Sequence, residues 1–206
     1  MSQLFQIHPD NPQKRLITQA ADILKQGGVV VYPTESGYAL GCHLGDKKAL
    51  ERIRQIRRLD DKHNFTLMCK DLSDIATYAR VDNDLYRVLK ANTPGPYTFI
   101  LKATRDVPRR VLHPKRKTIG IRVSENVICH ELLMAFAEPL ISTTLILPGE
   151  EMPMTDPYDI RDTLGSQVDL IIDGGFCGFE PTSVINLSDD EVEIIREGAG
   201  DITPFQ

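Results

Sequence analysis

The sequence predicts a single α/β domain, residues 1–206, built on one twisted sheet of mixed strand direction. Segments with helical and strand periodicity alternate through the first half of the chain, which is typical of helices packed on a sheet. Two short strand-like segments near the end predict a hairpin, so we do not expect a purely parallel sheet. A length of 206 residues with 41% hydrophobic content suits one domain with a substantial core.

The first helix and strand are predicted by their boundary residues. Asn11 followed by Pro12 indicates a helix start, and the glycine pair at 27–28 indicates its end. The β-branched run at 29–31 then predicts a strand buried on both faces. We expect this strand to break at Pro33 and pass into a polar loop.

The later elements follow from the same kinds of signal. Asp46 is expected to cap a second helix that runs to about residue 58 and buries the stripe Leu50, Ile53 and Ile56. Further strands are predicted at 65–69, 97–103, 118–123, 140–147, 168–173, 183–187 and 191–196, with the last two joined by a turn at 188–190. Further helices are predicted at 72–79, 83–91 and 124–137 and from Asp156-Pro157 onward. Among the connections, we predict a rigid turn at 93–96, a mobile loop at 148–157 and a sharp turn at 174–175.

The polar loop after the first strand is a candidate functional site. Thr34, Glu35, Ser36 and Tyr38 can all form hydrogen bonds, and Gly37 lets the backbone approach a ligand closely. Polar side chains just beyond the carboxyl end of a buried strand lie where open sheets bind ligands. A polar turn that only joins two elements is the alternative interpretation.

Basic residues are concentrated in two segments although the net charge is −5. Between residues 105 and 122 the one acid is Asp106, and a second cluster occupies residues 52–58. The overall acidic balance argues against a protein that coats nucleic acid, but it leaves room for a local anion site. A solvated helix face is the alternative for the second cluster. The cations of the predicted RNA or anion patch are Arg58, Arg109, Arg110, Lys115, Arg116 and Lys117.

The sequence lacks the motifs of several well-known kinds of site. The chain has neither G-x-x-x-x-G-K-[ST] nor a G-x-G-x-x-G between a strand and a helix. Its four cysteines, at 42, 69, 129 and 177, form no C-x-x-C pair, so we expect reduced, mostly buried thiols and no metal site. The dipeptides Cys42-His43 and Cys129-His130 are each expected to join a core cysteine to a surface histidine. With no leader or apolar run of about 18 residues, a cytoplasmic protein is expected.

Five segments together resemble one protein family. They are 32–41 (YPTESGYALG), 93–101 (TPGPYTFIL), 118–123 (TIGIRV), 181–184 (PTSV) and 196–199 (REGA). In this order and spacing, from about residue 11 to 200, the chain resembles the YrdC/YciO family, whose characterised members include threonylcarbamoyl-AMP synthase. The segment 64–69 (NFTLMC) looks most like the YciO branch.

The resemblance implies a YrdC-like fold, a twisted mixed sheet around a concave basic cavity. It also implies an enzyme that joins L-threonine, bicarbonate and ATP into threonylcarbamoyl-adenylate, which donates its acyl group to an adenosine in certain tRNAs. Mg²⁺ would arrive with ATP, and no permanent cofactor is implied. By the family pattern Thr34, Arg122, Thr182 and Ser142 would hold threonine, and Ser142 also matches a position lining the ATP site. The implied nucleotide-binding residues are Arg57, Asn64, Thr118, Thr144 and Arg196.

The chain departs from the synthase pattern at four positions. Arg57 and Leu59 stand where the family has a Lys-x-Arg pair, and Ile146 stands in place of an asparagine. Cys69 replaces a histidine near the threonine site. A charge-assisted hydrogen bond is worth about 1.5–3 kcal/mol, so losing one is expected to weaken binding about tenfold or more. Arg58 and Lys62 are candidates to compensate.

Three functions are therefore compatible with the sequence. The first is a threonylcarbamoyl-AMP synthase, weak or with an altered substrate. The second is a non-catalytic protein that binds double-stranded RNA, tRNA or a nucleotide in the basic cavity. The third, a small-molecule hydrolase, lacks any evident base or nucleophile. The oligomeric state and the protein partners cannot be read from the sequence.

Overall fold

The computed structural model describes residues 2–60, 63–189 and 191–206. In this part of the chain ten strands form one sheet and six α-helices pack on it. The strands are β1 (Gln3–Gln6), β2 (Val30–Thr34), β3 (Gly37–His43), β4 (Thr66–Met68), β5 (Tyr97–Lys102), β6 (Thr118–Arg122), β7 (Leu140–Thr144), β8 (Leu170–Asp173), β9 (Ser183–Asn186) and β10 (Glu193–Arg196). The helices are α1 (Lys14–Lys25), α2 (Lys47–Arg57), α3 (Leu72–Tyr78), α4 (Asn83–Asn92), α5 (Val127–Phe136) and α6 (Pro157–Leu164).

The sheet mixes parallel and antiparallel neighbours, which confirms the predicted fold class. Its strand order is β1-β8-β2-β3-β7-β4-β6-β5-β9-β10. The pairs β1/β8, β8/β2, β4/β6 and β5/β9 run parallel, and the remaining neighbours are antiparallel. Parallel neighbours are far apart in sequence, whereas the hairpins β2–β3 and β9–β10 join consecutive strands.

One face of the sheet changes from apolar to polar across its width. Helices α1 and α5 cover the face at β8, β2, β3 and the start of β7, where Tyr32 and Leu140 are fully buried. Two residues after Leu140, Ser142 lies on the same face opposite Thr66, which lies opposite Gly120 on β6. These residues wall a cavity instead of a core. A site can therefore form where the helical cover ends.

The opposite face of the same strands is mostly apolar. Leu67, Ile121 and Ile141 alternate with the cavity-facing residues and pack in the larger core. Helix α2 supplies its predicted stripe to this core, with Leu50, Ile53 and Ile56 all buried. None of the helices that the structure describes is long and apolar enough to cross a membrane.

The prediction that Pro33 breaks the first strand is wrong. Strand β2 continues through Pro33 to Thr34 and forms a hairpin with β3, in which Pro33 lies opposite Tyr38. Proline is tolerated because β8 pairs with β2 only at Val30 and Val31, so the edge of β2 beyond them needs no ladder donor. Tyr38 therefore lies on a strand, and only Glu35 and Ser36 form the turn.

Two other boundaries differ from prediction. Helix α1 begins at Lys14, after Gln13. Asn11 lies before it in a turn whose backbone N–H groups, from Asp10 and Asn11, donate to His8 Nδ1 at 3.2 and 3.1 Å. Strand β1 was not predicted at all, because four residues with partly exposed polar ends carry almost no periodic signal. Lys62 and Asp190, both named in the sequence-based predictions, lie outside the described residues.

The cap of α2 gives a testable prediction, because this helix carries Arg57 to the cavity. The Asp46 side chain accepts a hydrogen bond from the Ala49 N–H at 2.9 Å. Asp46→Ala should lower the free energy of unfolding by about 1 kcal/mol, since the amide loses its partner. Urea unfolding measures this loss. Asp46→Asn is the matched control, because asparagine caps equally well; a loss of the same size in both variants would contradict the capping role.

Candidate functional site

The site is a cavity of about 550 Å³ on the polar part of the sheet face. Six adjacent strands contribute alternate residues to its wall, as expected for side chains on one face of a pleated sheet. These residues are Ser142 and Thr144 of β7, Thr66 of β4, Thr118, Gly120 and Arg122 of β6, Thr98 and Ile100 of β5, Val184 of β9 and Arg196 of β10. The end of α2 and the segment before β4 close the cavity with Arg57, His63, Asn64 and Phe65.

Arg122 ends β6 and is buried at one end of the cavity, with 5% of its surface exposed. Its Nη2 donates to Ser36 Oγ at 2.8 Å and forms an ion pair with Glu35. The second carboxylate oxygen of Glu35 accepts a hydrogen bond from the Ser124 hydroxyl. Among the described residues, the Nε of Arg122 has no hydrogen-bond partner. The guanidinium is thus held in place while retaining capacity to donate to a ligand.

Thr34 is connected to Arg122 through Ser36. The Thr34 hydroxyl accepts from the Ser36 N–H at 3.2 Å, donates to the Gly37 carbonyl at 2.7 Å and lies 3.3 Å from Ser36 Oγ. The expected proximity of residues 34 and 122 is therefore present. However, these contacts direct the Thr34 hydroxyl into its own turn, and Thr34 does not form part of the cavity wall that the structure describes.

Thr182 and Arg196 stand next to each other on the β9–β10 side of the cavity. Arg196 donates from Nε and Nη2 to the Thr182 carbonyl at 3.0 and 2.8 Å, and the Thr182 hydroxyl lies 2.8 Å from that of Thr98. Burial and the nearby positive charge of Arg122 lower the pKa of Arg196. Arginine remains protonated at neutral pH in spite of such a shift, so this side adds a second fixed cation.

Arg57 brings a third cation to the cavity, at the end formed by α2 and β7. Its Nη1 donates to Thr143 Oγ1 at 2.9 Å and also to the Thr144 carbonyl. Burial lowers the pKa of Arg57, and its Nε has no partner among the described residues. No carboxylate lies on the cavity wall in the described part of the chain. The wall therefore carries an excess of positive charge.

His63 lies beside Arg57 and contacts the same hydroxyl. Its Nε2 is 3.2 Å from Thr143 Oγ1, and its ring meets the Phe65 ring edge-on at a centroid distance of 5.0 Å. Burial, together with the positive charges of Arg57 and Arg54, lowers the pKa of His63 to about 4. His63 is therefore neutral at pH 7. Neither His63 nor Thr143 was predicted as a site residue.

The remaining predicted substrate residues lie on or beside the floor of the cavity. Ser142 Oγ is 2.6 Å from the buried hydroxyl of Tyr32, whose pKa is raised by burial, so the phenol stays protonated. Thr118 and Thr144 line the wall, and Asn64 lies exposed at its edge. Of the nine predicted threonine and nucleotide residues, Thr34 is the one outside the described wall.

The basic patch predicted from the sequence is only partly gathered at the cavity. Arg116 lines the wall, whereas Arg109, Lys115 and Lys117 are exposed beyond it. The exposed Arg110 donates to the Leu44 carbonyl at 3.1 Å. Arg58 is exposed at the end of α2 with a left-handed backbone, φ 50°. In the 52–58 cluster, Arg52 pairs with Asp169 at 2.8 Å, so this part of the cluster serves the fold.

The departures from the synthase pattern lie in different environments. Ile146 lines the cavity, so an apolar side chain stands where the resemblance implies an amide. Leu59 packs against the larger core. Cys69 is buried beside the end of β6, where its N–H donates to the Arg122 carbonyl at 2.8 Å. Only Ile146 among these three changes the described wall.

The cysteines are buried thiols, as predicted. All four are free and buried. Burial raises the pKa of both Cys42 and Cys129 to about 12, which removes thiolate character at neutral pH. His43 and His130 lie nearer the surface than the cysteines they follow. Among the described residues no group of three or more His, Cys, Asp and Glu side chains could hold a metal ion.

The chain is similar to known proteins of one family. Residues 22–198 match the Sua5/YciO/YrdC family model, described as telomere recombination. The uncharacterised protein YciO of Escherichia coli K12 is 60% identical over 205 residues, covering 100% of both chains. Threonylcarbamoyl-AMP synthase of Vibrio vulnificus is 32% identical over 162 residues, 77% of this chain and 86% of that one.

Solved structures agree on the fold. The crystal structure of E. coli YciO superposes with a TM-score of 0.96 over 100% of both chains, at 60% identity. P. abyssi Sua5 complexed with L-threonine gives a TM-score of 0.86 at 22% identity, covering 95% of this chain and 57% of that one. The family model spans most of the chain and the strand framework is shared. The chain therefore belongs to the Sua5/YciO/YrdC family.

Proposed function

We propose that the cavity binds L-threonine and ATP and forms threonylcarbamoyl-adenylate from them and bicarbonate. The observation that carries this proposal is the cavity wall, which combines four arginines with hydroxyl side chains and, among the described residues, no carboxylate. Guanidinium forks and hydroxyls bind phosphate and carboxylate groups. The relatives named threonylcarbamoyl-AMP synthase support the reaction, and the Sua5 structure with L-threonine supports the amino acid.

Threonine is proposed to bind at the end of the cavity formed by Arg122. The guanidinium of Arg122, which lines this end, is the proposed donor for the carboxylate of threonine, while Ser142 and Thr182 line the adjoining wall. Glu35 lies behind this guanidinium, held by Arg122 and Ser124. Thr34 supports this end indirectly, because it fixes Ser36 against Arg122.

The phosphates of the nucleotide are proposed to bind at the α2 and β7 end of the cavity beside Arg57, and Arg196 adds a second cation on the β9–β10 side of the wall. Among the described residues both guanidiniums donate to hydroxyl and carbonyl oxygens, so their charge is available to phosphates. Thr118 and Thr144 add hydroxyls to the same wall, and Asn64 lies at its rim. Mg²⁺ would enter as part of the ATP complex, since it prefers substrate phosphates and water to an all-protein cage.

The proposed chemistry needs no protein nucleophile. The amino group of threonine and bicarbonate combine to a carbamate with loss of water. A carbamate oxygen then attacks the α-phosphorus, the bond to the β-phosphate bridging oxygen breaks, and pyrophosphate leaves with that electron pair. The work of the protein is to position the two substrates and to stabilise charge on the departing pyrophosphate. Arg57 and Arg196, both on the cavity wall, are suited to that task.

Arg122 provides the first test of this function. Arg122→Ala should raise the KM for threonine about tenfold to a hundredfold, because one or two charge-assisted hydrogen bonds to the carboxylate are lost. Arg122→Lys should recover part of the loss, since a lysine keeps the charge but not the fork. The measurement is pyrophosphate release with ATP, threonine and bicarbonate.

The control for Arg122 is Arg109→Ala, which removes an exposed arginine outside the wall. It should leave the KM for threonine unchanged. Thermal unfolding of each variant checks that Glu35, without its partner, has not destabilised the fold. An Arg122→Ala protein that folds and retains wild-type KM would contradict the proposed threonine site.

Ile146 provides the second test, because it is the departure that puts an apolar side chain on the wall in place of a polar one. Ile146→Asn should increase ATP affinity about tenfold, the gain from one restored hydrogen bond to a charged group. Calorimetric titration with ATP measures it. Leu59→Arg is the contrasting variant: Leu59 packs on the core, so an arginine there should lower stability. If Leu59→Arg increased the affinity for ATP more than Ile146→Asn does, this assignment would be contradicted.

A second candidate function is RNA binding without turnover, which the exposed cations beside the cavity favour. Arg109, Lys115 and Lys117 are exposed, and Arg116 joins them to the wall. Binding of a 16-base-pair RNA duplex should weaken steeply with salt, and Lys115→Glu with Lys117→Glu should reduce the salt slope. Lys25→Glu on α1 is the control. Retention independent of ionic strength would exclude this function.

A further inference from the structure

His63 is a titratable side chain on the cavity wall, beside a guanidinium. It lies at the nucleotide end and shares the Thr143 hydroxyl with Arg57. Its ring is fixed edge-on against Phe65. Because both α2 and β7 contribute to its surroundings, this arrangement is built by the fold and not by the local sequence.

The hydrogen bonds indicate which tautomer the free protein holds. Thr143 Oγ1 accepts a hydrogen bond from Arg57 Nη1, so its own hydroxyl can donate a hydrogen bond to His63 Nε2. In that arrangement Nε2 carries the lone pair and Nδ1 carries the hydrogen. The charged groups that act on the ring are Arg54 and Arg57 from α2, which disfavour protonation, and Asp60, which favours it. His113 and Arg116 line the same cavity.

A phosphate chain bound beside Arg57 would reverse the balance of charge around the His63 ring. It would place several negative oxygens beside Arg57, and a nearby negative charge favours the imidazolium. Protonated Nε2 then becomes a donor. We propose that His63 takes up one proton from solvent when a polyphosphate binds beside Arg57, and that the imidazolium then donates a charge-assisted hydrogen bond to a phosphate oxygen. The proton returns to solvent when the polyphosphate leaves.

This inference rests on the proposed function only in placing a polyphosphate at the Arg57 end. It adds a pH dependence whose sign is fixed by linkage. The free protein has a His63 pKa of about 4 and the complex has a higher one, so the complex binds more protons between the two values. Binding must therefore strengthen as pH falls through the pKa of the complex, and this gain ends near pH 4.

The direct test is the titration of His63 by NMR, in protein labelled with ¹³C at histidine. Inorganic tripolyphosphate is the probe, and His63→Gln assigns the resonance. We expect a midpoint near pH 4 without the probe, and a rise of about two pH units or more with saturating probe. His113 is the internal control, because it lines another part of the same cavity and should move less. An unchanged His63 midpoint with bound probe would overturn the inference.

A second measurement determines how many protons the protein takes up when tripolyphosphate binds. Tripolyphosphate is titrated by calorimetry at pH 6 in two buffers of different ionisation enthalpy, for the wild type and for His63→Gln. The probe's own change of protonation is common to both proteins, so the difference isolates the imidazole. We expect the wild type to take up more protons than the variant, by up to one per site. Equal counts would contradict proton uptake at His63.

The outcomes separate this inference from the proposed function. Proton uptake at His63 in a protein that makes no threonylcarbamoyl-adenylate would sustain the inference and remove the synthase function. If the protein forms the adenylate but the wild type and His63→Gln take up the same number of protons, the synthase function is sustained and the inference is removed. If tripolyphosphate does not bind at all, the inference is wrong, because it requires phosphates beside Arg57; threonine binding at Arg122 is measured independently.

Discussion

The ion pair between Arg122 and Glu35 joins the turn of the β2–β3 hairpin to the end of β6. A guanidinium with 5% of its surface exposed requires a partner, because burying an unpaired charge costs several kcal/mol. The partner comes from the turn of the β2–β3 hairpin, which is distant in sequence, and Ser36 and Ser124 complete the contacts. This pair therefore ties the hairpin to the end of β6. The turn must keep one conformation for the pair to form.

The backbone around the turn is shaped to keep that conformation. Gly37 has a φ of 110°, which residues with a side chain rarely adopt. A side chain at Gly178 would collide with the Glu35 carbonyl, so the loop after β8 lies directly against the turn. Tyr38 reinforces the contact, because its hydroxyl donates to the Gly175 carbonyl at 2.7 Å. Two loops distant in sequence thus hold one carboxylate in position.

The sequence predicted most elements, and eight of the nine residues predicted to bind threonine or nucleotide lie on the cavity wall, because those signals are local or carried by the resemblance. Strand β3 was missed because its seven residues are almost all buried and show no alternation between polar and apolar. His63 was missed for a different reason: its neighbours Arg57 and Thr143 come from elements that only the folded sheet brings together. Thr34 was placed on the correct turn, but the direction of its hydroxyl depends on hydrogen bonds to Ser36 and Gly37.

The cations of the cavity differ in how much of their charge is already balanced. Arg122 is paired with Glu35, which lies outside the described wall, so this guanidinium carries less uncompensated charge, which suits the single carboxylate of an amino acid. Among the described residues Arg57, at the α2 and β7 end, donates to neutral oxygens, so that end offers positive charge in excess, which suits a polyphosphate. Exchanging the substrates would leave a neutral molecule at the cationic end and phosphates beside a guanidinium whose charge is already balanced. The distribution of charge therefore orients the two substrates within one cavity.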